Sequence, residues 1–386
     1  MTTNGWEPTP LSELLTPVSR AEPVRSTQEY RLLGARWYAK GLYVKDVKPG
    51  SAIRADQLYR VEHGDFVYNR LFAWKGSFAV ASQDDDGCYV SNEFPCFIVD
   101  EKKLSGKYLW YYLSNEATWN EALGLSSGGT PISRNRLKED QFLSMRLRLP
   151  VRDEQDRIVS KIDALASRFE EARSVNSEIE REAEGMLCSA FARITSKAPQ
   201  RKMDDVAPLV RRQVEIGMGD KYPELGIRSF GKGTFHKPAL DFLSVGTKRL
   251  YRIEPGDLLF SNVFAWEGAI AVAQPDDEGR FGSHRFITCT PKEGVATSEF
   301  LRFYFLTEAG LRIIGEASPG GAGRNRTLGL TKLAKIEVPV PEYEEQVWFN
   351  RLQAKVGEMH AAQQAAETEL NALLPSILDR AFKGEL

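Results

Sequence analysis

With 386 residues, 42% hydrophobic and 27% charged, the chain is long enough for two or three domains that each bury a core. No apolar run reaches the ~18 residues of a membrane span. The N-terminus lacks a charged-then-apolar signal pattern, and Cys88, Cys96, Cys188 and Cys289 form no CxxC pair. A net charge of −2 argues against a bare phosphate binder, no disulfide framework or metal site is indicated, and a reducing cytoplasm is the expected setting.

Residues 1–149 read as the first globular unit, a mixed α/β domain with a strand-rich centre. Asp65-Phe66-Val67-Tyr68 and Ser77-Phe78-Ala79-Val80-Ala81 look like paired buried strands, with Asp84-Asp85-Asp86-Gly87 read as the turn between them. Phe72-Ala73-Trp74 lies between them and is expected to be core. Lys107 to Leu113 is an aromatic-rich amphipathic helix candidate. Before the last element comes Ser126-Ser127-Gly128-Gly129-Thr130-Pro131-Ile132-Ser133-Arg134-Asn135-Arg136.

Residues 150–198 read as a long helix opening on a proline and acidic residues. Ile158, Ile162, Leu165, Phe169, Ala172, Asn176, Ile179, Ala183, Met186 and Ala190 recur at alternating steps of four and three, a heptad seam. Residues 199–341 then repeat the first unit. Phe72-Ala73-Trp74-Lys75-Gly76 returns as Phe264-Ala265-Trp266-Glu267-Gly268, 192 residues later, and Tyr30, Gly34, Arg36, Lys40 and Gly41 return as Tyr222, Gly226, Arg228, Lys232 and Gly233. A period this long marks a duplicated globular domain rather than a solenoid. Residues 342–386 read as a second long helix with the seam Phe349, Leu352, Val356, Met359, Gln363, Ala366, Leu370, Leu373 and Ile377, and Pro375 should kink or restart it. The economical solution is an antiparallel intramolecular coiled coil of the two runs, relating the two units by a pseudo-two-fold rotation. The helical stretches carry the acidic excess, which leaves the globular units slightly basic.

Two clusters suit DNA. The glycine-rich stretch ends in Arg134-Asn135-Arg136, and its counterpart Ser318-Pro319-Gly320-Gly321-Ala322-Gly323 ends in Arg324-Asn325-Arg326. Paired glycines let backbone approach a phosphate, Arg suits guanine or phosphate, and Asn suits adenine. The second cluster is Arg36 and Lys40 with partners Arg228 and Lys232, whose bland alternative is a pair of surface cations stabilising a turn. Arg70 against Asn262 and Lys75 against Glu267 are aligned positions that differ, as two unlike base preferences would require. No GxxxxGK[ST] loop is present, and Asn92-Glu93-Phe94-Pro95 lacks the proline pair of adenine-methyltransferase motifs. No catalytic residue is assigned.

Further motifs carry a family resemblance. They are the segment Tyr222 to Gly233, the helix entries Pro150 with Glu154-Gln155 and Pro341 with Glu345-Gln346, and the ending Ser376-Ile377-Leu378-Asp379-Arg380-Ala381-Phe382-Lys383-Gly384-Glu385-Leu386. With the order unit, helix, unit, helix, they make essentially the whole chain resemble the specificity subunit of type I restriction–modification enzymes. The first-copy echo Leu187-Cys188-Ser189-Ala190-Phe191-Ala192 lacks the Gly-Glu-Leu. The resemblance implies two target recognition domains, each reading half of a bipartite asymmetric sequence in double-stranded DNA, with the helices as a ruler. It implies that two methyltransferase subunits dock on the helices and supply S-adenosylmethionine binding and adenine methylation. Restriction subunits would add ATP- and Mg-dependent translocation and cleavage, leaving no cofactor on this chain. Alternatives are the recognition subunit of another methyltransferase-based defence system, such as a two-subunit restriction enzyme or phage-exclusion complex, or a coiled-coil scaffold whose globular ends bind protein.

Overall fold

In the computed structural model, residues 5–128, 135–320 and 326–385 are described. They form two compact units, Met1–Asn176 with Gln364–Leu386, and Ser177–Gln363.

The first unit contains β1 (Glu7–Pro10), β2 (Leu15–Val18), β3 (Ala21–Pro23), β4 (Glu29–Ala35), β5 (Leu42–Pro49), β6 (Gln57–Arg60), β7 (Phe66–Tyr68), β8 (Phe78–Val80), β9 (Tyr89–Val90) and β10 (Cys96–Val99). Then come α1 (Gly106–Tyr112), α2 (Glu116–Leu125), α3 (Glu139–Ser144), β11 (Arg146–Leu149) and the long α4 (Arg152–Thr195). Strand orders are β2-β10-β7-β8 and β3-β6-β9-β4-β5, and β1 pairs with β11. Phe66, Tyr68, Phe78, Phe97 and Phe142 form the aromatic centre of the main core, against which α1 lays Tyr108 and Leu109.

The second unit repeats this plan with β12 (Gln200–Lys202), α5 (Met203–Val206), β13 (Leu209–Val210), β14 (Lys221–Ile227), β15 (Thr234–Asp241), α6 (Phe242–Val245), β16 (Leu250–Arg252), β17 (Leu258–Ser261), β18 (Ile270–Val272), β19 (Phe281–Ser283) and β20 (Phe286–Cys289). It ends with α7 (Ser298–Leu306), α8 (Glu308–Ala317), α9 (Leu330–Lys335), β21 (Glu337–Pro339) and α10 (Tyr343–Phe382). Its sheets run β13-β20-β17-β18 and β15-β14-β19-β16. The partner of β3 shrinks to a single bridge between Gln213 and Tyr251. The β14–β15 hairpin keeps the register of β4–β5, both with a bulge in the second strand. Gly226 is required there, because a Cβ would stand 2.2 Å from the Phe235 ring. The acidic turns follow the second strand of each buried pair rather than joining the two. In each, Asp85 or Asp277 completes a capping box with the residue three before it.

Within each unit, the segments of α4 and α10 pack antiparallel. In the first unit Ile158 and Ile162 of α4 share a core with Leu378, Ala381 and Phe382 of α10. In the second, Phe191 near the end of α4 meets Phe349 near the start of α10 at 5.5 Å between ring centroids. Val356 is buried, and Leu165, Phe169, Met359, Leu370 and Ile377 are half-buried. The heptad reading fails at Ile179 and Met186, which are 38% and 47% exposed, whereas Ala183, Phe191 and Ile194 are buried. A straight helix at 3.6 residues per turn drifts about 20° per heptad from a seven-residue repeat, so the apolar stripe slips sideways over 44 residues. Of the kink or restart expected at Pro375, the restart does not occur, since α10 runs through it as one helix of 40 residues. Among the described residues no helix is long and apolar enough to cross a membrane.

Candidate nucleic-acid interface

Three segments converge in each unit, and backbone bonds bring them together. The first is the hairpin tip, closed by Arg36 N to Gly41 O and by Arg228 N to Gly233 O, each 2.9 Å. The second is the short turn Ala73–Lys75, or Ala265–Glu267. Tyr38 N and Ala39 N donate to Lys75 O and Gly76 O at 2.7 Å, and Phe230 N and Gly231 N donate to Glu267 O and Gly268 O at 2.8 Å. The third is the base of the glycine-rich stretch, where Leu137 N donates to Arg70 O at 3.0 Å and Leu328 N to Asn262 O at 2.7 Å.

The tips hold strained backbone. Tyr38, Ala39 and Phe230 have φ of 60°, 51° and 60°, a region that costs a non-glycine residue on the order of 1–3 kcal/mol unless its surroundings enforce it. The two docking bonds supply that enforcement and turn aromatic rings outward. Tyr38 is 56% exposed, Trp37 42% and Phe230 76%. Of the Phe-Ala-Trp expected to be core, Ala73 and Ala265 are fully buried and Trp266 packs, partly buried, against the core of its unit. Trp74 and Trp266 are half-buried and donate Nε1–H to Leu71 O and Val263 O, and Phe264 is 41% exposed.

Lys75 places its ammonium 3.7 Å from the Trp37 ring centroid and 4.9 Å from that of Trp74. Its counterpart Glu267 instead accepts from Ser229 Oγ at 3.3 Å. Arg326 lies 5.1 Å over Trp266, beside an open groove lined by Leu311, Arg312 and Gly320. Lys40 and Lys232 are exposed at the tips. One frame thus presents an aromatic and cationic surface in the first unit and a more mixed one in the second.

Several expected DNA-contacting groups are already engaged. Arg36 donates to Leu42 O at 3.0 Å and Arg228 to Thr234 O at 2.6 Å, each also stacking on an aromatic ring of the return strand, so both stabilise the hairpin. Arg70 makes a two-pronged pair with Glu139 and reaches Asn92 O. Arg136 forks onto Glu93 at 2.7 and 3.2 Å, which gives the Asn92-Glu93 turn a structural use. Asn262 keeps the backbone role of Arg70 but has a buried, unpartnered Oδ1. Asn135 is half-buried and has a partner of its own. Arg134, Arg324 and Asn325 lie outside the described residues.

The alignment of the two Arg-Asn-Arg triplets also needs correction. Leu137 and Leu328 occupy one structural position, so Arg136 corresponds to Thr327 and Arg326 to Asn135. The offset drops from 192 at Gly128 and Gly320 to 191 at Leu137 and Leu328.

Burial raises the Glu139 carboxyl pKa, but the Arg70 hydrogen bond and charge together with a backbone bond outweigh it, and the net shift is downward. A lowered folded-state pKa contributes stability above the usual carboxylate range, which is lost as pH falls through the folded value. Glu139→Gln is therefore expected to flatten the loss of urea midpoint on acidification below about pH 5. If the variant follows the wild-type acid limb, the pair does not stabilise the fold.

Sequence reasoning missed three elements. The outward rings Tyr38 and Phe230 were detectable as an aromatic pair at the 192-residue offset. Arg20 and Arg212, on Asp65 and Asp257 at 2.6 and 2.7 Å, recur at the same spacing. Gln155 and Gln346 were noted only as helix entry, yet both are fully buried with three hydrogen bonds each. Burial pushes the Cys96 and Cys289 thiols up to about 12, which keeps them protonated. Among the described residues no cluster of three His, Cys, Asp or Glu side chains could hold a metal.

Comparison with known proteins gives this geometry a context. Residues 6–181 match the family model described as the type I restriction modification DNA specificity domain. The HsdS subunit from Thermoanaerobacter tengcongensis superposes with a TM-score of 0.63 at 20% identity, covering 100% of this chain and 98% of that one. A chain from a structural study of complex assembly and conformational transition in the type I R-M system superposes with a TM-score of 0.72 at 20% identity, covering 100% of both. At that identity the likeness is one of fold. No curated protein sequence matches the chain.

Proposed function

We propose that the chain, whose residues 6–181 match the type I restriction modification DNA specificity domain, reads DNA for a methyltransferase complex, each unit taking one half of a bipartite asymmetric target. One observation carries this reading furthest: the same strained tip is built twice with different side chains on it. Trp37, Tyr38, Lys40 and Lys75 would face one half-site, and Phe230, Lys232, Glu267 and Arg326 the other. Lysines at the tips serve phosphates, while rings and the arginine beside them serve base edges or groove shape. The paired helices would set the spacer and receive two methyltransferase subunits. S-adenosylmethionine, ATP and Mg would belong to methyltransferase and restriction partners, with no active site on this chain.

The test is reconstitution with the neighbour-encoded methyltransferase, followed by mapping of methylated adenines and DNA affinity against salt. Lys40→Ala and Lys232→Ala are each expected to weaken binding across all sequences and to lower the salt slope by about one. Trp37→Ala and Phe230→Ala are expected to change preference at one half-site each, by roughly 5- to 150-fold. A complex with neither sequence preference nor salt-dependent affinity would favour the scaffold reading.

A further inference from the structure

The two tips share a backbone path but are seated by different side chains. On α7, Arg302 stands 192 residues after Trp110 of α1. Its Nη2 donates to the Gly231 carbonyl at 2.6 Å. We propose that Arg302 is a positioning residue for the second recognition tip, fixing the Phe230–Gly231 backbone from behind and so setting where Phe230 and Lys232 meet DNA. The inference rests on the DNA-reading assignment above.

Three bonds then hold two consecutive left-handed residues, of which Phe230 is the strained one: Phe230 N to Glu267 O, Gly231 N to Gly268 O, and Arg302 to Gly231 O. Gly231 has φ of +66°, and a Cβ there would stand 2.8 Å from Leu306 Cδ1, so the rear of the tip is closed by α7. The bond has a cost. Arg302 is largely withdrawn from water, and burial pushes its pKa down, with the charge of Glu299 offsetting part of that. A cation placed there to hold a backbone carbonyl is expensive unless the carbonyl's position matters.

Among the described residues, the first unit has no such bond. Trp110 stacks on Tyr111 at 5.0 Å, and its Nε1–H has no partner. Its tip is seated on Trp119 instead, 5.7 Å from Tyr38 and anchored by Nε1–H to Leu113 O at 2.8 Å, with Lys75 over Trp37. The position after 192 residues from Trp119 is Leu311, which cannot play that part. Loss of Arg302 should therefore disturb one tip only.

The full chain carrying Arg302→Met is expected to exchange the Phe230 and Gly231 amides at least about tenfold faster, with Tyr38 and Ala39 unchanged and Arg302→Lys restoring part of the protection. Reconstituted with its methyltransferase, Arg302→Met should lose about tenfold in discrimination at one half-site while the other is kept. Unchanged exchange at Phe230 and Gly231, or a loss shared equally by both half-sites, would overturn the inference. Faster exchange in the variant, combined with a wild-type complex that shows no sequence preference, would support the clamp and overturn the DNA-reading assignment. Should Arg302→Met fold poorly, the Arg302→Lys exchange rates and half-site ratio carry the same comparison.

Discussion

Asp257→Ala is expected to destabilise the second unit by about 3–5 kcal/mol, the cost of leaving a buried charge without its partner. Asp257 is buried and accepts four hydrogen bonds, from Arg212 Nη1 at 2.7 Å and Nη2 at 3.2 Å, from Glu254 N at 2.9 Å and from Thr290 Oγ1 at 2.9 Å. Removing it strands a part-buried guanidinium that keeps only the more exposed Glu254 as an ionic partner, at 2.9 Å. The equivalent Asp65 holds Arg20 and the Glu62 amide in the same way, without the threonine bond, since Ile98 stands 192 residues before Thr290. Asp65→Ala should accordingly cost somewhat less, and act on the first unit. Urea unfolding followed by tryptophan fluorescence would measure both. The double replacement Arg212→Met with Asp257→Leu should recover much of the loss, because an apolar pair leaves no orphaned charge. A cost below about 1 kcal/mol for Asp257→Ala would show that water reaches the site and that the pair is not what anchors these strands.

Gln346→Ala is expected to cost about 3 kcal/mol and to loosen α10 from the domain it leaves. The Gln346 amide donates to Val295 O at 3.0 Å and Pro341 O at 2.9 Å, and its oxygen accepts from Thr297 N at 3.1 Å. Thr297 caps α7, so one side chain ties the first turn of a long helix to the start of another. Truncation leaves two carbonyls and an amide unsatisfied out of water, and each such group is worth about 1–3 kcal/mol, with overlap among them. Gln155 makes the same three contacts to Lys103 O, Pro150 O and Ser105 N, so Gln155→Ala should behave alike in the first unit. Hydrogen exchange at Thr297 and Ser105 would register the change locally. Protection there that survives the truncation would mean that water or a shifted side chain replaces the glutamine.

The repeat and the two long helices were legible because each leaves a pattern independent of distant contacts. A 192-residue echo needs only comparison of the chain with itself. A 3.6-residue apolar rhythm opened by Pro150 or Pro341 needs only the geometry of one helix. The same one-dimensional reading misplaced the seam at Ile179 and Met186, because a small angular drift accumulates over so many turns.

The candidate interface was only partly legible. Composition alone cannot tell an arginine that meets DNA from one that forks onto a carboxylate 43 or 69 residues away, as Arg136 and Arg70 do with Glu93 and Glu139. Nor can it tell that Phe230 faces outward while Ala265, beside the turn that holds it, is fully buried. Those outcomes depend on which backbone groups meet after the strands pair, and non-local hydrogen bonds leave no local rhythm in the chain. Duplication and helix identity were thus determined by the sequence itself. The exposure of the tips, the engagement of the cations and the unlike seating by Trp119 and Arg302 were decided by tertiary structure, because burial and partner choice belong to surfaces that exist only once the chain has folded.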